Sequence, residues 1–378
     1  MHLYPFPARR NSGFSLVEIM VGVAIGLLGV LIIMQVSVVF EGQKRTTTTG
    51  SDAQTNGVTA LYTVERDVRR AGYGLASGAL GCTVKQYYDT APIADLSLAP
   101  VTITNGVNGA PDIIRILASS KSGWSLPSRI TVEHPPQATN IFLNTTLGME
   151  VGDMLVAFEP PKTCTLMQAT GIPNGNVQVQ HQNTSKWNPP GGSNILPADG
   201  YSVGAQILNL GALINHTYFL DPLVPNGNLM LSELSTATNT STTRAITADI
   251  VNLQAEYGFD TRAGIQVDPR VDTWSATMID ADASGTVNDA GDIARVIAVR
   301  MAVVARSPLM EKPNASGVCD ITIDTAVAGR AVNRPTWAGG DIDVSKNTDG
   351  TPNANWKCYR YKTFENIIPL RNLLWRQT

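Results

Sequence analysis

The feature that most limits what this chain can fold into lies near its start. From Phe14 to Met34 the 21 residues carry a single charge, Glu18. As a helix rising about 1.5 Å per residue, such a run is roughly 32 Å long, close to the hydrocarbon thickness of a bilayer. The stretch before it contains Arg9 and Arg10 and no acidic residue. The amino end is therefore expected on the cytoplasmic side, with the rest of the chain outside. A secretory signal peptide fits poorly, because its small-residue cleavage site follows the apolar core, whereas Gly13 precedes it here. A plain single-pass anchor fits the length but leaves Glu18 unexplained. A carboxylate inside a membrane is costly and generally faces a partner. Cleavage between Gly13 and Phe14 would create that partner, an α-amine at Phe14 that the Glu18 of a neighbouring subunit can pair with.

The stretch Gly13-Phe14-Ser15-Leu16-Val17-Glu18 resembles the type IV prepilin signal. The resemblance implies that a prepilin peptidase cuts after Gly13 and methylates the new amine of Phe14. It also implies that Glu18, the fifth mature residue, serves assembly, and that the apolar helix holds the subunit in the inner membrane beforehand. Gly22 and Gly26 form a GxxxG spacing, with Gly29 beyond it. Such small surfaces allow close helix approach, although glycine is also common in membrane helices generally.

After Phe40 comes a polar stretch with four consecutive threonines and Gly50, poor in helix formers. Val58, Leu61, Tyr62, Val64 and Val68 then recur at helical spacing up to Gly72. One long helix is expected from Phe14 to about Ala71, weakened near residues 46 to 50, with its outer half packed by one face on a globular body. Beyond Gly72, β-branched runs bounded by Gly, Pro and Asn read as antiparallel strands. They start at Val101, Asp112, Arg129, Met154, Val177, Thr217, Ile250 and Val296. Residues 173–194 read as an exposed hairpin or loop. The expected class is α+β: a long N-terminal helix, transmembrane in its first half, packed on a β-rich antiparallel head. The expected divisions are a leader at 1–13, the membrane half of the helix at 14–40, its outer amphipathic half at 41–72 and the head at 73–378.

Four blocks carry a second, narrower resemblance: residues 51–74 (SDAQTNGVTALYTVERDVRRAGYG), 249–260 (DIVNLQAEYGFD), 296–307 (VIAVRMAVVARS) and 364–375 (FENIIPLRNLLW). In that order they are similar to the PilW minor pilins. This implies a low-abundance subunit of a tip or priming complex that initiates type IV pilus assembly and supports adhesion or twitching motility. Its implied partners are the prepilin peptidase, other minor pilins, the major pilin and a tip adhesin. Its implied address is the inner membrane, single-pass with a periplasmic head, and then the pilus at the cell surface. A minor pseudopilin of type II secretion shares the signal and the long helix and remains open as an alternative. So does an anchored surface enzyme or lectin.

The chemistry-bearing residues are few. Net charge is −3, without a basic block, which removes the electrostatic footprint for nucleic acid. No HExxH, Walker-type loop or CxxC occurs among the motifs of this chain, and no enzyme activity is expected. Cys82, Cys164, Cys319 and Cys358 allow three disulfide connectivities in an exported chain. Cys319–Cys358 with Cys82–Cys164 is favoured, free buried thiols being the other reading. In IDADASGTVNDAGD, Asp280, Asp282 and Ser284 stand at positions one, three and five of an EF-hand-like loop, with Gly285 at six and the Thr286 carbonyl at seven. Position twelve is Gly291 instead of glutamate, so Asp289 or Asp292 would have to close the cage. The candidate cofactor is a structural Ca2+, set against a solvated, metal-free acidic turn. Trp356, Tyr359, Tyr361 and Trp375 could form a binding face, but packing in the core or on an edge strand is favoured.

Overall fold

The computed structural model describes residues 13–121, 126–173, 177–191, 195–224, 227–264, 269–314, 316–323 and 334–374. The leader up to residue 12, with Arg9 and Arg10, and Trp375 lie outside them. By its contacts the chain forms two compact units, Met1–Ser51 and Asp52–Thr378.

In the first unit, helix α1 (Leu16–Val68) begins, and it stays helical through Thr47, Thr48, Thr49 and Gly50. Thr47 turns its hydroxyl back onto the Gln43 carbonyl, 3.0 Å away, which satisfies that hydroxyl within the helix. Leu16–Ser37 has a mean hydropathy of 2.7 and none of it is buried by the protein. An apolar helix left bare on every side is suited to lipid or to other helices, not to a soluble core.

The second unit is built on three sheets. One contains, in spatial order, Ala91–Ser97, Thr83–Tyr88, Cys164–Gln168, Met154–Phe158, Gln206–Gly211 and Ser128–Arg129. The next runs Thr240–Ala248, Asn228–Ser235, Ile214–Leu220, Ile113–Ala118, Val101–Thr104. The third runs Thr273–Ser275, Ile250–Phe259, Val296–Arg306, Tyr361–Pro369. Pairing is antiparallel except between Thr83–Tyr88 and Cys164–Gln168. Small ribbons pair Asn140–Phe142 with Gln178–Gln180 and Thr336–Trp337 with Gly340–Asp341.

Continuous apolar runs mark strands buried on both faces. Along Met154–Phe158, Met154, Val156 and Phe158 enter the main core, while Leu155 and Ala157 enter a smaller one with Ile130, Ile141, Leu143, Val179 and Tyr201. Along Val296–Arg306, Met301, Val303 and Ala305 face the main core and Ala302 and Val304 a third cluster with Ile342 and Val344. The cysteines close Cys82–Cys164 and Cys319–Cys358, leaving no free thiol among the described residues. With separations of 82 and 39 residues, each bridge restricts the unfolded chain by roughly 4 kcal/mol in the loop-entropy account.

The outer part of α1 meets this body through small residues. Ala53, Ala60, Val64, Val68 and, beyond the helix, Ala71 are buried, and a Cβ on Gly57 would lie 2.1 Å from the Phe364 ring. The expected apolar face is therefore corrected in part. Val64 and Val68 are buried and Leu61 packs at the core edge, but Val58 and Tyr62 are 50% and 63% exposed. Close approach of a strand selects for small size along the seam, and apolarity alone misplaces it. Two other expectations are also corrected. The run from Arg129 keeps only Ser128–Arg129 as a strand, with Ile130 bridging Leu143. Residues 173–194 are not simply an exposed loop, since Trp187 is buried and donates its indole N–H to the Thr236 carbonyl at 2.6 Å.

Candidate functional site

At the amino end, Ser15 precedes the first turn of α1. Its hydroxyl accepts the Val17 amide at 3.3 Å, and Glu18 reaches back to accept the Ser15 amide at 3.4 Å. This is the reciprocal arrangement of a capping box, which satisfies amides that a helix start leaves free. The spacing Ser15-x-x-Glu18 was readable in the sequence, yet the apolar setting drew attention to the charge alone. Within the chain, Glu18 thus has one partner among the described residues, the Ser15 amide. Gly13, Phe14 and Glu18 are all exposed, so neither the Gly13–Phe14 peptide bond nor the carboxylate is covered by the protein. Gly22, Gly26 and Gly29 likewise have no atom within 4 Å of an added Cβ.

The acidic loop is the second candidate. Asp280, Asp282 and Asp292 each bring a carboxylate oxygen within 4.8 Å of the others. Asp292 is completely buried. Its Oδ1 accepts the amides of Ala281 at 2.6 Å and Asp282 at 3.3 Å, and its Oδ2 that of Asn288 at 2.7 Å. Asp280 accepts the amides of Ser284 and Gly285, both at 2.9 Å. Asp289 takes another task. It caps α2 (Ala290–Ala294) by accepting the Asp292 amide at 3.0 Å, and it accepts the Ser284 hydroxyl at 2.9 Å. The Asp292 amide first, and the Ser284 hydroxyl with it, holds the Asp289 carboxyl below its usual range. The Ser284 hydroxyl also points to the Thr286 carbonyl at 3.3 Å. Gly291 explains the departure at position twelve, since a Cβ there would lie 1.8 Å from Asp282 Oδ2. The donors that converge are carboxylate oxygens, the set a hard cation such as Ca2+ takes, and those that accept a single amide, such as Asp280 Oδ1 and Asp292 Oδ2, retain a second lone pair.

A third polar centre was missed in the sequence. Asp67, near the end of α1, is buried and accepts the Tyr218 hydroxyl at 2.6 Å; His216 Nδ1 lies 2.7 Å away. Burial raises the Asp67 pKa, but the hydrogen bonds from His216 and Tyr218 outweigh it and the net direction is down. His216 Nε2 faces Glu233 at 3.3 Å, and Glu233 pairs with Arg244. No nucleophile stands in this network, and its evident result is to tie α1 to the second sheet. Near the carboxyl end, Trp356 and Tyr361 pack against the third core cluster, and Tyr359 lies under the Arg306 guanidinium at 4.0 Å.

Two family models match. Residues 217–372 match the Type IV Pilus-assembly protein W family, PilW. Residues 8–34 match the prokaryotic N-terminal methylation motif. The first match takes in the acidic loop, the third sheet and the Cys319–Cys358 bridge, while the similar block at 51–74 lies outside it. No curated protein and no solved structure matches the chain.

Proposed function

We propose that this chain, a type IV pilus-related minor pilin, takes part in initiating and assembling the pilus as a subunit of a tip or priming complex. Its role is to assemble, and no catalytic step is assigned to it. The carrying observation is a lone carboxylate at the head of a bare apolar helix, five residues beyond a glycine that sits inside the methylation motif. Processing would proceed by cleavage after Gly13 and methylation of the Phe14 amine. Glu18 would then exchange the Ser15 amide for the amine of an adjacent subunit as apolar helices bundle. The head would occupy the periplasm before assembly, with other minor pilins and the major pilin as neighbours.

Gly13→Ala should leave a membrane-held precursor, heavier than the mature form by the leader and unmethylated at Phe14. Intact mass and amino-terminal sequencing read this directly, and a normally processed Gly13→Ala chain would remove the prepilin reading. Deleting the whole chain should abolish twitching and surface pili and leave enzyme secretion unchanged. The reverse pattern would assign it to type II secretion instead.

The loop at Asp280, Asp282 and Asp292 supports a second role, a structural Ca2+ that neutralises three converging carboxylates. In calcium, the melting temperature of the full chain should fall on adding chelator, and Asp280→Ala should remove that response. Asp292→Ala should destabilise with or without calcium, because three backbone amides lose a buried acceptor. An unchanged melting temperature on chelation would leave the loop a metal-free turn.

A further inference from the structure

Two histidines face each other inside the smaller core. His134 lies beyond the strand Ser128–Arg129, and His181 follows the strand Gln178–Gln180. They are 1% and 3% exposed. Their rings meet edge to face, with centroids 5.0 Å apart, and the two Nε2 atoms are 3.1 Å apart. A contact of that length between two imidazoles is a hydrogen bond only when one nitrogen carries a proton and the other does not.

No charged side chain is hydrogen-bonded to either ring among the described residues. The charged groups on the surrounding segments are Arg129, Glu133, Asp199 and the Lys162–Glu159 pair. Lys162 holds the Gly200 carbonyl and Glu159 the Ser202 amide from outside. The Tyr201 hydroxyl is turned toward Ala157, Thr163 and Thr165. Burial pushes both imidazoles down, His181 to about 3 with the charge of His134 adding to the effect. At His134 the backbone of Asn140 opposes burial without reversing it.

The pair also closes a seam. His134 and Tyr201 exchange backbone hydrogen bonds of 2.9 Å in both directions, and the His181 amide donates to the Thr139 carbonyl. A Cβ on Gly200 would sit 2.1 Å from the His134 carbonyl oxygen. The rings thus join the segment around residues 130–143 to those around 178–182 and 199–204, over a core separate from the main one.

We propose that His134 and His181 form a proton-operated latch: acid opens the segments closed over the smaller core while the main core stays shut. One added proton keeps the N–H···N bond but buries a charge with no counter-charge. A second replaces the bond with two donors pointing at each other. Because both rings bind protons less readily when folded, the stabilisation is complete above the free-histidine value of about 6.5 and is lost as pH falls below it. For a ring held neutral throughout, the opening equilibrium rises about 30-fold between pH 8 and pH 5.

The test is hydrogen exchange of the full chain in detergent micelles at pH 8 and pH 5, each corrected for intrinsic exchange. Segments 130–143 and 177–191 should open at least about tenfold more at pH 5, while Ile250–Phe259 and Val296–Arg306 should not. The double variant His134→Gln/His181→Gln should lose this difference. If that variant does not fold, imidazole titration by NMR on the native chain decides. Two rings still neutral at pH 5 uphold the latch. Equal acceleration in both cores, no acceleration, or rings that titrate as free histidine overturns it.

Discussion

Glu18→Ala is expected to leave cleavage after Gly13 intact while the processed chain fails to enter pili. In the single chain, Glu18 loses only a long 3.4 Å contact to the Ser15 amide, an exposed capping interaction of about 1 kcal/mol. On the proposed pairing, the same change in a bundle within lipid would strand a neighbour's ammonium in a medium that does not solvate it. Removing one member of a desolvated pair costs roughly 3–5 kcal/mol, about a hundredfold or more in a docking equilibrium. Glu18→Gln separates the two roles, because its amide oxygen can still accept from Ser15 but carries no charge. If incorporation depends on the cap, Gln rescues it; if it depends on the pair, Gln fails as Ala does. Piliation counted by electron microscopy, beside the mass of the membrane-held pool, reads both outcomes, and wild-type piliation in Glu18→Ala would end the charge-pairing mechanism.

Gly57→Leu should disrupt the packing of the head on the outer half of α1. Even a Cβ at residue 57 would overlap Phe364, with ring carbons at 2.1 and 2.3 Å. The strand Tyr361–Pro369 would have to move off the helix or the ring leave its place. Overpacking of this kind costs about 1–3 kcal/mol per site, and a leucine against a ring seated between helix and sheet belongs at the upper end. The expected readout is a drop of several degrees in melting temperature. Partial recovery in Gly57→Leu with Phe364→Ala would place the strain at this contact. Leucine at the neighbouring exposed Val58 is the control and should change little. Equal melting of Gly57→Leu and wild type would mean that the seam is looser than the distances state.

Much of the head could be read in advance because its strands are unusually explicit. The runs at Val101, Met154, Ile250 and Val296 are alternating or continuous apolar stretches bounded by turn residues, and each is a strand. What could not be read depends on distant partners. The seam of α1 consists of Ala53, Gly57 and Ala60 because Phe364 and its strand approach closely, a requirement invisible in the helix itself. Asp67 looks like an ordinary surface acid near a helix end, and only Tyr218 and His216, some 150 positions away, make it a buried anchor. The acidic loop was readable at Asp280 and Asp282. Of the two later acids, Asp292 stands with them in the carboxylate group and Asp289 caps α2, a division that the spacing alone left open.

The last strand lies along the first helix. Lys362 reaches Gln54, Asn366 reaches Glu65 and Asn372 holds the carbonyls of Arg70 and Ala71, across separations of 301 to 308 residues. Contacts this distant in sequence form late, because the loop they close must first be ordered. The inner face of α1 therefore stays uncovered until the strand Tyr361–Pro369, some 300 residues further on, has joined the fold. A ribosome stall or a nick that withholds this strand would leave an intermediate with an open seam, a natural substrate for chaperones and proteases.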